Sequence, residues 1–307
     1  MKYLLLFLFS AGVFAQSKEI GLVLENDLFT SSVNDKYYTN GVEIFYRYLS
    51  KDTSENIVKK IHEFRAGQYI FNPQTVKAAD PNIHDRAFAG YLFGQYAESR
   101  FYKSESMFRL NGQVGVVGPA SGAEQVQKTI HDVFGYKPVR GWEYQIRNTL
   151  ALQLGAAYSK KIFRGDHFDF HAKGNAVAGT AFAGATVGVL SRVSLKPLLP
   201  IYDSTLYGAA VNSDLSARKN QSEFFFYISP SVNYQLYDAT IQGSMFNDDS
   251  PITFDLIPFR FTGEAGLKYR KNRLDLSYAF IYRGKEADNW VNKGYFFGSI
   301  QIGWLLD

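Results

Sequence analysis

Between Phe259 and Trp304 the chain alternates apolar and polar residues through three successive segments, a period of two that specifies strands rather than helices. In the first, Phe259, Phe261, Gly263, Ala265, Leu267 and Tyr269 share one face, opposite Arg260, Thr262, Glu264, Gly266, Lys268 and Arg270. In the second, Leu274, Leu276, Tyr278, Phe280 and Tyr282 oppose Asp275, Ser277, Ala279 and Arg283; in the third, Phe296, Gly298, Ile300, Ile302 and Trp304 oppose Ser299, Gln301 and Gly303. Apolar faces with aromatic ends, backed by charged and small polar faces, suit a wall between hydrocarbon and a polar lumen. The same reading predicts strands near 19–27, 38–49, 61–72, 86–100, 105–117, 143–163, 167–177, 181–194, 222–238, 257–270, 273–284 and 294–305. That even number, about twelve, is what bacterial barrels require. A soluble sandwich alternates likewise but with shorter strands, and long runs such as Trp142 to Phe163 favour the membrane. The fold class expected is all-β: a transmembrane antiparallel β-barrel of about twelve strands with one short helix in an extracellular loop.

Export to that membrane is written at the N-terminus. Lys2 supplies a positive start, Tyr3 to Phe14 an apolar stretch, and Val13-Phe14-Ala15 a cleavage site, so residues 1–15 read as a cleaved signal peptide and 16–307 as one barrel domain. The apolar stretch falls short of the roughly 20 residues a spanning helix needs. Without cysteine the chain has neither a disulfide framework nor thiolate chemistry. A net charge of +4 is too mild for a nucleic-acid stripe, so no nucleic-acid partner is expected.

Polar residues gather at one end of the predicted wall. If the N-terminus starts in the periplasm, odd strands end at the external rim. Glu25-Asn26-Asp27 then closes strand one, Asp35-Lys36-Tyr37-Tyr38-Thr39-Asn40-Gly41 opens strand two, and Asn72 to Lys77 follow strand three. After strand five comes a segment, Gly122 to Gly135, whose Val126, Ile130, Val133 and Phe134 recur at helical spacing, with Gln127 and His131 four apart on one face. A neutral His131 imidazole could take a proton from water or a nucleophilic hydroxyl. Asp27, among amide and backbone oxygens, suits a hard cation such as Ca²⁺. Asn26, Thr39 and Lys77 are candidate donors to a developing oxyanion. Each also has a plain reading: a surface histidine, a turn-capping aspartate, a solvated lysine, an Asx-rich hairpin.

Elsewhere the chemistry is thinner. His167, Asp169 and His171 alternate on a predicted strand, which places three polar side chains on the lumenal face without requiring a metal. Gly-x-Ser-x-Gly, zinc motifs and phosphate loops are absent.

Four ordered blocks resemble a known family. Glu25-Asn26-Asp27 with Asp35-Lys36-Tyr37-Tyr38-Thr39-Asn40-Gly41, then Asp85-Arg86-Ala87-Phe88-Ala89-Gly90-Tyr91, then Gly118 to His131, and finally Gly141-Trp142-Glu143-Tyr144-Gln145 are similar to signatures of the LpxR-type outer-membrane lipid A deacylases. The resemblance covers the first half of the mature chain; the second half matches mainly as barrel strands. It implies a twelve-stranded, monomeric barrel in the bacterial outer membrane. Its calcium-dependent esterase site would face the outer leaflet and remove the 3′-linked acyloxyacyl group of lipid A in lipopolysaccharide. By similarity His131 activates water, Asp27 is the calcium-associated acid, and Asn26, Thr39 and Gln127 occupy polar site positions, with Lys77 the nearest match to an assisting lysine.

Two departures stand out. A member of the family carries a glutamate six residues after the histidine where this chain has Lys137, which leaves Asp132 or Glu124 to orient the imidazole. The chain also ends Trp304-Leu305-Leu306-Asp307, without a terminal aromatic. Two other functions remain open on sequence: a non-catalytic channel or lipid-binding barrel with a degenerate site, and an outer-membrane phospholipase.

Overall fold

Alternation in sequence becomes alternation across a wall. In the computed structural model, which describes residues 17–30, 36–50, 54–75, 77–212 and 222–306, Phe259, Phe261, Leu267 and Tyr269 are exposed on the outside of the strand Phe259–Lys271. Arg260, Gly266 and Arg270 of the same strand are buried inside. The strand segments are β1 (Lys18–Asn26), β2 (Tyr37–Leu49), β3 (Ile57–Asn72), β4 (Ala89–Tyr102), β5 (Ser106–Val117), β6 (Thr149–Arg164), β7 (Phe168–Gly179), β8 (Phe182–Val193), β9 (Ser222–Ile228), β10 (Ser231–Asp238), β11 (Phe259–Lys271), β12 (Leu274–Arg283) and β13 (Tyr295–Leu306). Every pairing among them is antiparallel, and β13 closes onto β1, with Lys18 opposite Leu306 and Asn26 opposite Gly298.

β9 and β10 are two halves of one wall strand, since each pairs with β8 on one side and β11 on the other. The break falls at Ser229-Pro230, where proline has no N–H to give the ladder. The barrel is therefore closed and twelve-stranded, as the alternation implied. No helix among the described residues is long and apolar enough to cross a membrane. Residues 1–15, read as a signal peptide, lie outside the described residues, as does Asp35.

Three strand starts differ from expectation, the first being β3, which begins at Ile57 rather than 61. β4 begins at Ala89 rather than near 86, because Asp85 and Arg86 turn into the rim. Asp85 accepts hydrogen bonds from Tyr37 Oη (2.6 Å) and Gln74 N (2.8 Å), and Arg86 donates to Thr240 Oγ1 (2.9 Å) and meets Glu286 (3.3 Å). Burial alone would raise the Glu286 carboxyl, but Arg86, Arg260 and Arg283 hold it below its ordinary range. β6 begins at Thr149 rather than 143, because Trp142–Tyr144 forms a 3₁₀ turn entered through Gly141 at φ 105°.

Inside the barrel, the connection after β8 folds back into the lumen at the end opposite that rim. Leu198, Ile201, Leu206, Ala209 and Val211 pack on Phe101, Leu190, Phe225, Tyr227 and Leu305. Lys59 ties the plug down through Asp203 Oδ1 (3.1 Å) and the Ala209 carbonyl (2.7 Å). Asp169 and His171 face this lumenal core, their side chains 3.1 Å apart beside Arg192. His167 does not join them: it is exposed in the turn before β7, its Nδ1 donating to the Ser194 carbonyl (3.1 Å). The expected face of three is thus a buried pair beside Arg192, which donates to Ser204 Oγ (2.8 Å) and the Leu199 carbonyl (3.0 Å) of the plug.

Candidate active site

The first polar block is shaped by a cap. Asn26, the last residue of β1, accepts a hydrogen bond from Leu28 N at its side-chain oxygen (2.7 Å), which caps the 3₁₀ turn Asp27–Phe29. The turn carries Asp27 inward, where it is buried and accepts from Lys36 N through Oδ2 (3.0 Å). Leu28 and Phe29 are left exposed outside. Tyr37 then enters β2 at φ 62°, a left-handed conformation costing roughly 1–2 kcal/mol in an L-residue. Its buried ring and the bond to Asp85 hold it there. A bulge between Tyr38 and Asn40 takes Thr39 out of the β2–β3 register. Thr39 is buried and its hydroxyl accepts from Asn72 Nδ2 (3.4 Å).

The second half is the helix α1 (Ala123–Phe134), which lies against the outside of the wall. Gln68, on the outward side of β3, donates to the Ser121 carbonyl (2.7 Å) at the helix entrance. Ile70, also outward, is 1% exposed because Ala78, Phe88, Ala123, Val139 and Trp142 cover it. Gly90 of β4 makes the close approach possible: a Cβ there would run into Ser121 and Ala123. Gly90→Leu should therefore lift α1 from the wall and remove activity, while the barrel keeps its heat-modifiable migration on gels. Unchanged activity would show that helix docking is dispensable.

The helix is turned opposite to a soluble amphipathic helix. Its buried residues are Ala123, Gln127 and His131, whereas Val126, Val133 and Phe134 are exposed. Gln125, Lys128, Thr129 and Asp132 are exposed as well, so the helix presents an apolar stripe beside a charged one, the arrangement of a helix at a hydrocarbon–water boundary. Trp142, itself buried, donates from Nε1 to Gln127 Oε1 (2.8 Å), so the Gln127 NH₂ is oriented as a donor. His131 Nδ1 lies 2.7 Å from the Lys137 carbonyl oxygen. A carbonyl can only accept, so Nδ1 carries the hydrogen and Nε2 is the basic nitrogen of the neutral ring. Gly135, at φ 68°, ends the helix and turns the chain so that residue 137 comes back beneath the histidine. The expected acid is thus replaced by a backbone oxygen. Asp132 is exposed, and Glu124 is engaged with Lys128 (2.6 Å) and Gln145 (3.3 Å).

Register brings the two halves to one place. On the outer face, Gly298, Asn26, Asn40, Ile70 and Gly90 stand opposite one another across β13, β1, β2, β3 and β4. Asn26 is two strand spacings, roughly 10 Å, from the Ile70 that α1 covers. Asn26, Asp27 and Thr39 therefore lie one to two strands from the stretch of wall that α1, carrying Gln127 and His131, covers, and the gap between them is the candidate cleft. Lys77 reaches the same sector through its bridge with Arg140, but it is exposed and its side chain is not drawn in by burial. Sequence reasoning missed Trp142, Asn72 and Asp85 as supports; only the position of Trp142 and Asp85 inside motif blocks signalled them. For a metal, the described residues hold no cluster of three or more His, Cys, Asp or Glu. What they offer are the buried carboxylates of Asp27 and Asp85, the latter already accepting from Tyr37 Oη and Gln74 N. That all-oxygen, low-charge set fits a weakly held hard cation.

A family model described as outer membrane protein LpxR matches residues 2–306. Among solved structures, LpxR from Salmonella typhimurium superposes with a TM-score of 0.74 at 18% identity, covering 93% of this chain and 99% of that one. The β domain of the Bordetella autotransporter BrkA (TM-score 0.46, 6% identity, 95% and 100% covered) and the translocator domain of NalP from Neisseria meningitidis (0.45, 10%, 97% and 90%) are more distant barrels. No curated protein matches the chain in sequence. With nearly its whole length matched, the chain belongs to the LpxR family of outer-membrane proteins.

Proposed function

We propose that the protein is a calcium-dependent esterase that removes the 3′-linked acyloxyacyl group from lipid A of lipopolysaccharide, acting as a monomer at the outer leaflet. The observation that carries this reading is the inverted helix: Gln127 and His131 face the wall and the apolar stripe faces hydrocarbon, so the cleft opens sideways to lipid. The rim bearing α1 also carries the long connections 73–88, 118–148 and 239–258, whereas at the other end residues 103–105, 165–167 and 272–273 make tight turns and the long connection after β8 folds into the lumen, in keeping with external and periplasmic sides.

His131 Nε2 takes a proton from water as the oxygen adds to the ester carbonyl carbon, then returns it to the departing sugar oxygen. The Lys137 carbonyl keeps the ring in the required tautomer. The Asn26 and Gln127 amide N–H groups and the Thr39 hydroxyl are the donors available to the oxyanion, with Lys77 as a further cation at the sector's edge. A calcium ion held by Asp27 and neighbouring oxygens would add positive charge beside that oxyanion.

The alternative of a passive channel is disfavoured by the lumenal plug, whose apolar residues occupy lumen at the end opposite the candidate cleft. Purified protein incubated with lipopolysaccharide and Ca²⁺ should release the acyloxyacyl group, seen as a mass loss in lipid A, and chelator should suppress it. Unaltered lipid A with folded protein would refute the proposal. Parallel incubation with phospholipid separates the deacylase from a phospholipase.

A further inference from the structure

The outer wall next to α1 is not uniformly convex. Two residues down β3 and β4 from the row Gln68–Leu92, on which the helix entrance rests, the outward positions become small, Ala66 on β3 and Gly94 opposite it on β4, and one row further Gly112 on β5 stands opposite Tyr96. Around them stand Ile44, Phe64, Tyr96, Val114 and Leu154, and the result is a recess of about 980 Å³ with a floor of backbone and walls of exposed apolar side chains. Gly94 is open space in a literal sense, since a Cβ built there meets nothing within 4 Å.

The recess continues the cleft. From Gly90, against which α1 packs, to Gly94 is four residues of one strand, roughly 13 Å. Between them lies Leu92, itself exposed. On the other side of the cleft, Asn40 leads down β2 through Val42 to Ile44, which stands opposite Ala66.

We propose that this recess seats a hydrocarbon chain of the lipid whose ester lies beneath α1, and that Ala66, Gly94 and Gly112 thereby set acyl-chain preference. The inference rests on the hydrolase reading given above. An acyl chain gains little transfer energy on passing from bilayer to recess, because both are apolar. Selection therefore comes from packing: a chain that fills the recess collects contacts with its walls, and a chain that stops short leaves part of the floor to other lipid tails. The occupant is the substrate's own chain, since continuity with the cleft holds that chain in register with the reacting ester.

Gly94→Leu builds into the floor where a Cβ meets nothing within 4 Å, and Ala66→Leu fills it from the adjacent strand. Parent and variants are assayed on two lipopolysaccharide preparations whose 3′ acyl chains differ in length, with heat-modifiable migration as the check of folding. In both variants the ratio of kcat/KM for the long over the short chain should fall about tenfold, the low end of what a methylene in an apolar pocket discriminates. An unchanged ratio overturns the proposal, and so does an equal loss on both lipids, which would place the effect in the chemistry instead. A parent protein inert on both preparations refutes the hydrolase reading itself, a result distinct from either.

Discussion

Replacing His131 with alanine is expected to abolish ester hydrolysis in a barrel that otherwise folds normally. A positioned general base is worth roughly a hundred- to ten-thousandfold, so the residual rate should fall by about three orders of magnitude or to background. Stability should change little, because His131 sits on a helix outside the wall, and its bond to the Lys137 carbonyl stays within the same connection. The neighbouring substitution separates chemistry from scaffolding. Lys137→Ala keeps the backbone oxygen that orients the imidazole, so its activity should stay within about twofold of the parent, far inside the range of a lost base. Mass spectrometry of lipid A, together with gel migration before and after heating, measures both quantities. If Lys137→Ala proved as damaging as His131→Ala, the side chain rather than the carbonyl would be the orienting group.

Much of the wall was legible because a barrel strand must satisfy two solvents at once. The period-two pattern at Phe259–Tyr269 left no other face for Arg260 and Arg270 than the lumen, and both are buried there. The interrupted strand 222–238 also read through its own break, since Pro230 removes one donor without changing which faces are apolar. Connections obey no such constraint. Nothing in the composition of residues 196–212 said that Leu198, Ile201 and Leu206 would enter the lumen instead of covering an outer surface. His167 illustrates the same limit: its spacing from Asp169 matched a strand, but the strand starts one residue later.

The site was half legible for a related reason. The topology of alternating strand ends placed Asn26, Thr39 and His131 at one rim from sequence alone. The direction of α1 was hidden, because an amphipathic stripe states that a helix has two faces and not which solvent each one meets. The oriented histidine was hidden more deeply. An acid was sought for it among Asp132 and Glu124, while the partner is a main-chain oxygen, which every residue carries and no sequence pattern marks.

The largest stability effect is expected within the lumen, at Glu63. Its carboxylate, 1% exposed, meets Arg47 Nε (2.5 Å), Arg65 Nε (2.9 Å) and Arg109 Nη2 (2.7 Å). Arg47 also reaches Glu19 (3.0 Å) and Arg65 also pairs with Glu43, so each keeps a carboxylate when Glu63 is lost. Arg109 depends most on this carboxylate: beyond Glu63 its neighbour is the Ser99 hydroxyl (3.2 Å). Glu63→Gln conserves shape and removes one negative charge from among three guanidinium groups. Breaking a buried ion pair on one side costs about 3–5 kcal/mol, because the remaining charge stays buried without its counterion. The variant should unfold at markedly lower denaturant, followed by the loss of compact gel migration. Adding Arg109→Met to Glu63→Gln removes the cation most dependent on this carboxylate and should return part of the lost stability, a coupling that only interacting neighbours show. Strictly additive losses in the double variant would mean that Arg109 is solvated well enough to need no partner, and that the lumen is wetter there than its burial implies.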